Sequence, residues 1–158
     1  MGTRAVVITV SDGVSAGTRQ DESGTALERM LDDAGYEVSR SLVPDDADRI
    51  AGAILEACST APLVLTTGGT GFGRRDVTPE ATASILEREA PGLVHVMLVK
   101  GLESTPLAGL TRARAGTIGG SLVVNLPGSP KGATESLAAI IDLLPHALQL
   151  LGGDNRHH

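Results

Sequence analysis

Five short stretches of the chain carry the residues able to do chemistry: Ser11-Asp12-Gly13, Asp45-Asp46, Thr67-Gly68-Gly69-Thr70-Gly71, Arg74-Arg75-Asp76 and Asn125-Leu126-Pro127-Gly128-Ser129-Pro130-Lys131. The glycine run can take positive φ and let backbone approach a ligand closely. Its successive N–H groups can form an anion-binding nest, and Thr67 and Thr70 add hydroxyls. A phosphate cradle and a tight structural turn both fit that stretch. A carboxylate beside bound phosphate is unfavourable unless a divalent cation sits between them. Asp76, just past the glycines, therefore reads either as a Mg²⁺-facing group or as a helix cap. Asp45, Asp46 and Asp12 carry the same ambiguity, because each also suits a cap or turn. Arg74 and Arg75 suit phosphate or plain solvent. Two prolines fix the backbone of the last stretch and one glycine opens it, and Ser129 and Lys131 there can reach an anion.

Known motifs are excluded by spacing. A P-loop needs Lys followed by Ser or Thr, and neither lysine, Lys100 or Lys131, is so placed. The dinucleotide fingerprint fails because Arg74 stands where its third glycine belongs. No Ser-His-Asp or Cys-His spacing and no Cys/His metal pattern occurs. His95 and His146 fall within apolar helical patterns and read as structural.

The elements that would position these stretches alternate. Residues 5–10, 36–43, 63–67 and 121–126 read as strands, the first being a buried β-branched run. Helices are expected after Ser23 as N-cap, over 47–57, from a Thr78 cap to Glu89, over 93–102, and over 133–151 with a kink at Pro145. Residues 104–120, with Arg112 and Arg114, read as loop. Alternation predicts a three-layer α/β/α domain over residues 1–151 with a mostly parallel central sheet, followed by a polar tail, 152–158. If the strands are parallel, the loops after three of them meet at one sheet edge, where such folds bind ligands.

Composition narrows the function. The chain has 158 residues, a net charge of −6, one Tyr, one Phe and no Trp. Few cations and almost no stacking platforms argue against nucleic acid. The single Cys58 excludes an internal disulfide and, in an Ala-rich helical pattern, reads as packing. With no signal peptide and no membrane-length apolar run, a cytoplasmic protein is expected.

The order Thr9-Val10-Ser11-Asp12, Asp21-x-Ser23-Gly24, Val43-Pro44-Asp45, Thr67-Gly68-Gly69-Thr70-Gly71, Arg75-Asp76-Val77-Thr78-Pro79-Glu80-Ala81-Thr82 and Asn125-Leu126-Pro127-Gly128-Ser129-Pro130 resembles the molybdopterin-binding MoaB/Mog family over nearly the whole chain. That resemblance implies a trimer, or a hexamer in the MoaB branch. It implies molybdopterin as ligand and Mg²⁺-ATP as the source of AMP for its terminal phosphate, with pyrophosphate released. Asp45 and Asp76 match the family's essential aspartates and would serve Mg²⁺ and catalysis. Gly68 to Gly71, flanked by Thr67, would cradle molybdopterin, with Ser11, Asp12, Asn125, Pro127, Gly128 and Ser129 lining the pocket. Thr111-Arg112-Ala113-Arg114-Ala115-Gly116 departs from plant-type Ser-Arg-Ser-Ala-Ala-Gly: alanine replaces a serine and Arg114 is added. The alternative that the resemblance implies is a MoaB-branch protein that binds molybdopterin without catalysis.

Overall fold

The computed structural model describes residues 2–153; the expected end of the tail, His157 and His158 included, lies outside them. Strands β1 (Arg4–Val10), β2 (Glu37–Val43), β3 (Leu63–Thr67), β4 (Arg88–Glu89), β5 (Ala115–Ile118) and β6 (Ser121–Leu126) form one sheet in the order β2-β1-β3-β6-β5-β4. The first four in that order are parallel, and β5 is antiparallel to both neighbours. The α/β expectation holds, with helices on both faces.

Alternation along each strand divides the core. On β1, Ala5 and Val7 face one cluster, which includes Leu27 and Leu31 of α2 (Glu22–Asp33), Met97 of α5 (Pro91–Ser104), Leu137 and Ile140 of α6 (Pro130–Ile140) and Leu144 of α7 (Leu144–Leu151). Val6, Ile8 and Val10 face the other, with Ile50 and Ile54 of α3 (Ala47–Cys58) and Ala81 of α4 (Thr78–Ala83). Period 2 against period 3.6 thus fills both faces, chiefly with aliphatic side chains. The same alternation aims Thr9 and Thr67 at α2, and Thr66 and Asn125 at α4.

Several boundaries differ from expectation. Asp21, not Ser23, caps α2: its carboxylate accepts from Gly24 N at 3.0 Å while the Thr9 hydroxyl and Arg40 hold it. Ser23 lies buried in the first turn instead. Thr78 does not cap α4; Val77 holds that position, and the Thr78 hydroxyl donates to Gly68 O at 2.9 Å. The helix ends at Ala83, because Glu87 N and Ala90 N donate to Thr117 O and Ala115 O of the sheet edge. The expected loop 104–120 contains a 3₁₀ turn, Pro106–Leu110, and β5, which joins β6 through Gly119-Gly120. The last helix begins at Pro130 with Ser129 as its cap and breaks after Ile140, with Pro145 in the first turn of α7. Helix α5 extends past 93–102 at both ends. No helix among the described residues is long and apolar enough to cross a membrane. Cys58, half-buried at the end of α3, has its thiol pKa raised by burial, consistent with packing.

Candidate functional site

The parallel strands bring the loops after β1, β2, β3 and β6 to one edge of the sheet. The chain runs from β1 through α2 to β2, then crosses the other face through α3 to β3 on the far side of β1. Strand order therefore reverses between β1 and β3, and the loops diverge there into a crevice. A polar cavity of about 670 Å³ opens at that point. It is lined by Ser11 after β1, Asp45 after β2, Gly68, Gly69 and Asp76 after β3, and Gly128 and Ser129 after β6. A second, apolar cavity of about 370 Å³ is lined by Thr70 and Gly71 of the glycine loop, by Asn125 of β6 and Pro127 just after it, and by Val94, Met97 and Leu110. Ser129 lines both.

The glycine loop is held in an unusual backbone. Gly68 and Gly69 have φ of 107° and 72°. A Cβ on Gly68 would stand 2.3 Å from Val10 O, and one on Gly69 would stand 2.3 Å from Thr78 Oγ1. Only glycine satisfies both demands. The backbone N–H groups of Gly69, Thr70, Gly71, Gly128 and Ser129 have no acceptor among the described residues. That is a row of donors at the boundary of the two cavities, as an oxyanion ligand requires.

A buried polar network fixes the loop from behind. Asn125 Nδ2 donates to Thr66 Oγ1 and Thr82 Oγ1, both at 3.0 Å, and Asn125 Oδ1 accepts from Arg114 N at 3.0 Å. Thr82 Oγ1 passes the chain to Thr78 O at 2.8 Å, and Thr78 Oγ1 reaches Gly68 O. The Asn125 amide is thus fully buried and fully engaged; its position is in the cavity wall, and its work is to tie β6 to α4. Asn125→Ala leaves several buried partners unmatched and is expected to cost about 2–4 kcal/mol, read as a fall in the urea midpoint at unchanged m-value.

Arg112 holds the loop from its front. It donates through Nε to Gly71 O at 2.8 Å and through Nη2 to Asp76 O at 2.7 Å, pairs with Glu80, and lies 5.9 Å from the Phe72 ring centre. The guanidinium keeps the Glu80 carboxyl below its usual range. Arg114 instead pairs with Glu89 at the surface, at 2.6 Å.

Three aspartates converge on the crevice. Asp12 and Asp45 exchange hydrogen bonds: Asp12 N donates to Asp45 Oδ2 at 3.0 Å and Asp45 N to Asp12 Oδ1 at 2.9 Å. Arg75 makes a two-pronged contact with Asp12 at 2.9 and 3.0 Å, which holds the Asp12 carboxyl below its ordinary value. Asp45 is shifted upward, first by desolvation and then by the charges of Asp12 and Asp76. Asp76 accepts from Gly73 N at 2.9 Å. Because the folded-state pKa of Asp45 is raised, its charge destabilises the fold once pH exceeds the unfolded-state value. Asp45→Asn is therefore expected to raise the melting temperature at neutral pH, with the gain vanishing as pH falls below about 4, where both forms are neutral. A thermal melt series against pH reads this directly.

This donor set suits Mg²⁺, which commonly takes one or two carboxylates and completes its shell with phosphate oxygens and water. Asp45 and Asp76 both line the polar cavity, and the strain on Asp45 is the kind that a bound cation relieves. Among the described residues, no group of three or more His, Cys, Asp and Glu is arranged to hold a metal by itself.

Residues 6–146 match the family model described as a probable molybdopterin binding domain. The chain belongs to that family. The chain is 36% identical over 153 residues to the molybdopterin adenylyltransferase of Helicobacter pylori J99, covering 94% of this chain and 87% of that protein. It is 40% identical over 152 residues to the molybdenum cofactor synthesis protein cinnamon of Drosophila melanogaster, covering 94% of this chain but only 25% of that protein. The chain thus spans about a quarter of the Drosophila relative. Among solved structures it resembles the molybdopterin biosynthesis enzyme MoaB of Thermus thermophilus, with a TM-score of 0.89 and 46% identity, covering 96% of this chain and 98% of that one.

The domain brings together most of the residues that sequence reasoning selects. Ser11 caps α1 (Asp12–Ser15), accepting from Val14 N at 3.2 Å, and also faces the polar cavity. Thr67 lines that cavity, but its hydroxyl is engaged by Pro127 O at 2.7 Å and Ser23 Oγ at 3.1 Å. Asp12, expected to line the pocket, lines neither cavity and is engaged by Arg75. Sequence reasoning places Arg112 only within a loop, and it does not single out Arg19 or Asp21, which also line the polar cavity. Asp21 is marked in the sequence only by the Asp21-x-Ser23-Gly24 stretch, and Arg19 by no motif. His95 and His146 are exposed on their helices and belong to neither cavity.

Proposed function

We propose that this domain adenylylates the terminal phosphate of molybdopterin, using Mg²⁺-ATP, within cytoplasmic molybdenum cofactor biosynthesis. The observation that carries the reading is the pair of abutting cavities, one polar and flanked by Asp45 and Asp76, the other apolar, divided by Gly68 to Gly71 and sharing Ser129. A pterin with a phosphate tail suits that division: the ring system in the apolar cavity, the phosphate at the glycine N–H groups, the nucleotide in the polar cavity. An oxygen of the molybdopterin phosphate bonds to the α-phosphorus of ATP, the α–β bridging P–O bond breaks, and pyrophosphate leaves. The nucleophile is already an anion at neutral pH, so no protein base is needed, and the chain's task is in-line positioning and charge stabilisation. Asp45 and Asp76 would hold Mg²⁺, which when bound neutralises charge on the phosphate chain. Gly69, Thr70 and Gly71 orient the attacking phosphate, and Arg112 keeps Gly71 and Asp76 in fixed relation. Exposed aliphatic residues such as Val99, Leu102 and Leu107 supply apolar surface for a trimer or hexamer.

A molybdopterin-binding protein without turnover is the second reading. It rests on the 46% identity to Thermus MoaB, described as a molybdopterin biosynthesis enzyme with no adenylylation named, against 36% to the Helicobacter molybdopterin adenylyltransferase. Pyrophosphate release separates the two: release that requires ATP, Mg²⁺ and molybdopterin together supports the transferase, and molybdopterin binding without release supports the binder.

A further inference from the structure

Arg19 is the one basic residue lining the polar cavity among the described residues. Its side chain makes no ion pair or hydrogen bond with any of them. Its position is nonetheless built. Gly13 O accepts from Thr18 N at 2.8 Å, from Thr18 Oγ1 at 3.1 Å and from Arg19 N at 3.2 Å, closing the loop that follows α1. The Arg19 stem then lies across Gly13, where an added Cβ would stand 2.6 Å from Cδ and 2.9 Å from Cγ. Glycine at position 13 is what lets the stem pack there.

The charges around it are unbalanced. Asp45, Asp76 and Glu22 line the same cavity with no ion pair among the described residues, while the Asp21 charge is met by Arg40. Arg75 is committed to Asp12. An anionic phosphate chain entering this cavity would meet three carboxylates, and beyond a bound cation only Arg19 offers an uncommitted positive charge on the lining. Guanidinium is suited to that task, since its fork of donors matches phosphate oxygens.

We propose that Arg19 grips the phosphate chain of the nucleotide, an assignment that rests on the reading of the polar cavity as the nucleotide site. The group shared by both substrates is phosphate, so the test separates a polyphosphate from the molybdopterin monophosphate. Calorimetric titration of inorganic tripolyphosphate with Mg²⁺, and separately of molybdopterin, is carried out on wild type, Arg19→Met and Arg19→Lys. Methionine keeps apolar packing over Gly13, and an unchanged melting temperature checks that the fold survives. The expected result is a tripolyphosphate affinity about 10–100-fold weaker in Arg19→Met and partly restored in Arg19→Lys, with molybdopterin affinity within about twofold of wild type. Equal tripolyphosphate affinity in wild type and Arg19→Met overturns the role of Arg19 and leaves the nucleotide site standing. Loss of molybdopterin affinity instead overturns it by placing Arg19 on the monophosphate. Wild type that takes up molybdopterin but no tripolyphosphate overturns both the inference and the nucleotide site.

Discussion

Asp76→Asn is expected to lower the rate of molybdopterin adenylylation by about 10³-fold or more while leaving the melting temperature within a degree or two of wild type. The two halves of that expectation come from different atoms. Asn retains an oxygen to accept from Gly73 N, the one hydrogen bond that the Asp76 carboxylate makes among the described residues. It loses the negative charge that the proposed cation requires, and a missing metal-stabilised interaction of about 4 kcal/mol corresponds to three decades in rate. Asp45→Asn is expected to lose activity similarly but to gain stability, because desolvation and neighbouring carboxylates shift Asp45 upward. One variant that is inactive and neutral in stability, beside one that is inactive and stabilised, is the signature of a site whose charge arrangement serves chemistry at a cost in folding. Steady-state rates and thermal melts of the two proteins check it. A fall in stability that matched the fall in rate for Asp76→Asn would assign that residue to the scaffold instead.

Gly68→Ala should be the most damaging single-methyl change. Two penalties act together: a φ of 107°, which an L side chain rarely adopts, and a Cβ placed 2.3 Å from the carbonyl oxygen of Val10. That oxygen belongs to β1, which pairs with β3 directly below the loop, so relief requires two central strands to part. The expected cost is about 3–5 kcal/mol, or roughly 6–20 °C in melting temperature for a domain of this size. Gly17→Ala separates the two penalties. Gly17 has φ of 78° but nothing within 4 Å of the added Cβ, so only backbone strain remains, about 1 kcal/mol. Similar melting temperatures for the two variants would mean that the contact with Val10 is readily relieved.

The strand pattern is legible in the sequence because β1, β3 and β6 are buried on both faces and so carry short apolar runs, at residues 5–8, 63–65 and 122–124. Their parallel arrangement then follows from alternation with helices, and it alone brings Gly68 to Gly71, Asp45, Asp76 and the Pro127–Ser129 loop to one edge. The hairpin of β5 and β6 is less visible. Ala115 to Ile118 is short and carries Gly116 and Thr117, although Gly119-Gly120 is a turn signal between two strands. The short edge strand at Arg88–Glu89 has no apolar pattern; it exists because β5 offers it hydrogen bonds, which is a tertiary cause. Ser23 looks like a cap because serine often is one, but Asp21 has stronger partners in Thr9 and Arg40, both distant in sequence.

Within the site, residue type indicates the glycines and carboxylates, whose chemistry depends on what they are. Asn125 stands out for its place in a stiff loop, yet its amide is committed to Thr66, Thr82 and Arg114 N, a role visible only once β6 and α4 are packed. Arg112 and Arg19 cannot be told from ordinary surface arginines without knowing that one bridges Gly71 O and Asp76 O and the other lies over Gly13.

The most direct test of the account is mass-spectrometric detection of the transferred group. Purified protein is incubated with molybdopterin, ATP and Mg²⁺, and the pterin pool is analysed for an added AMP. The account predicts adenylylated molybdopterin from wild type and none, within the 10³-fold window, from Asp76→Asn. Full occupancy by molybdopterin with no AMP adduct from wild type would contradict it and leave a protein that binds this pterin without transforming it.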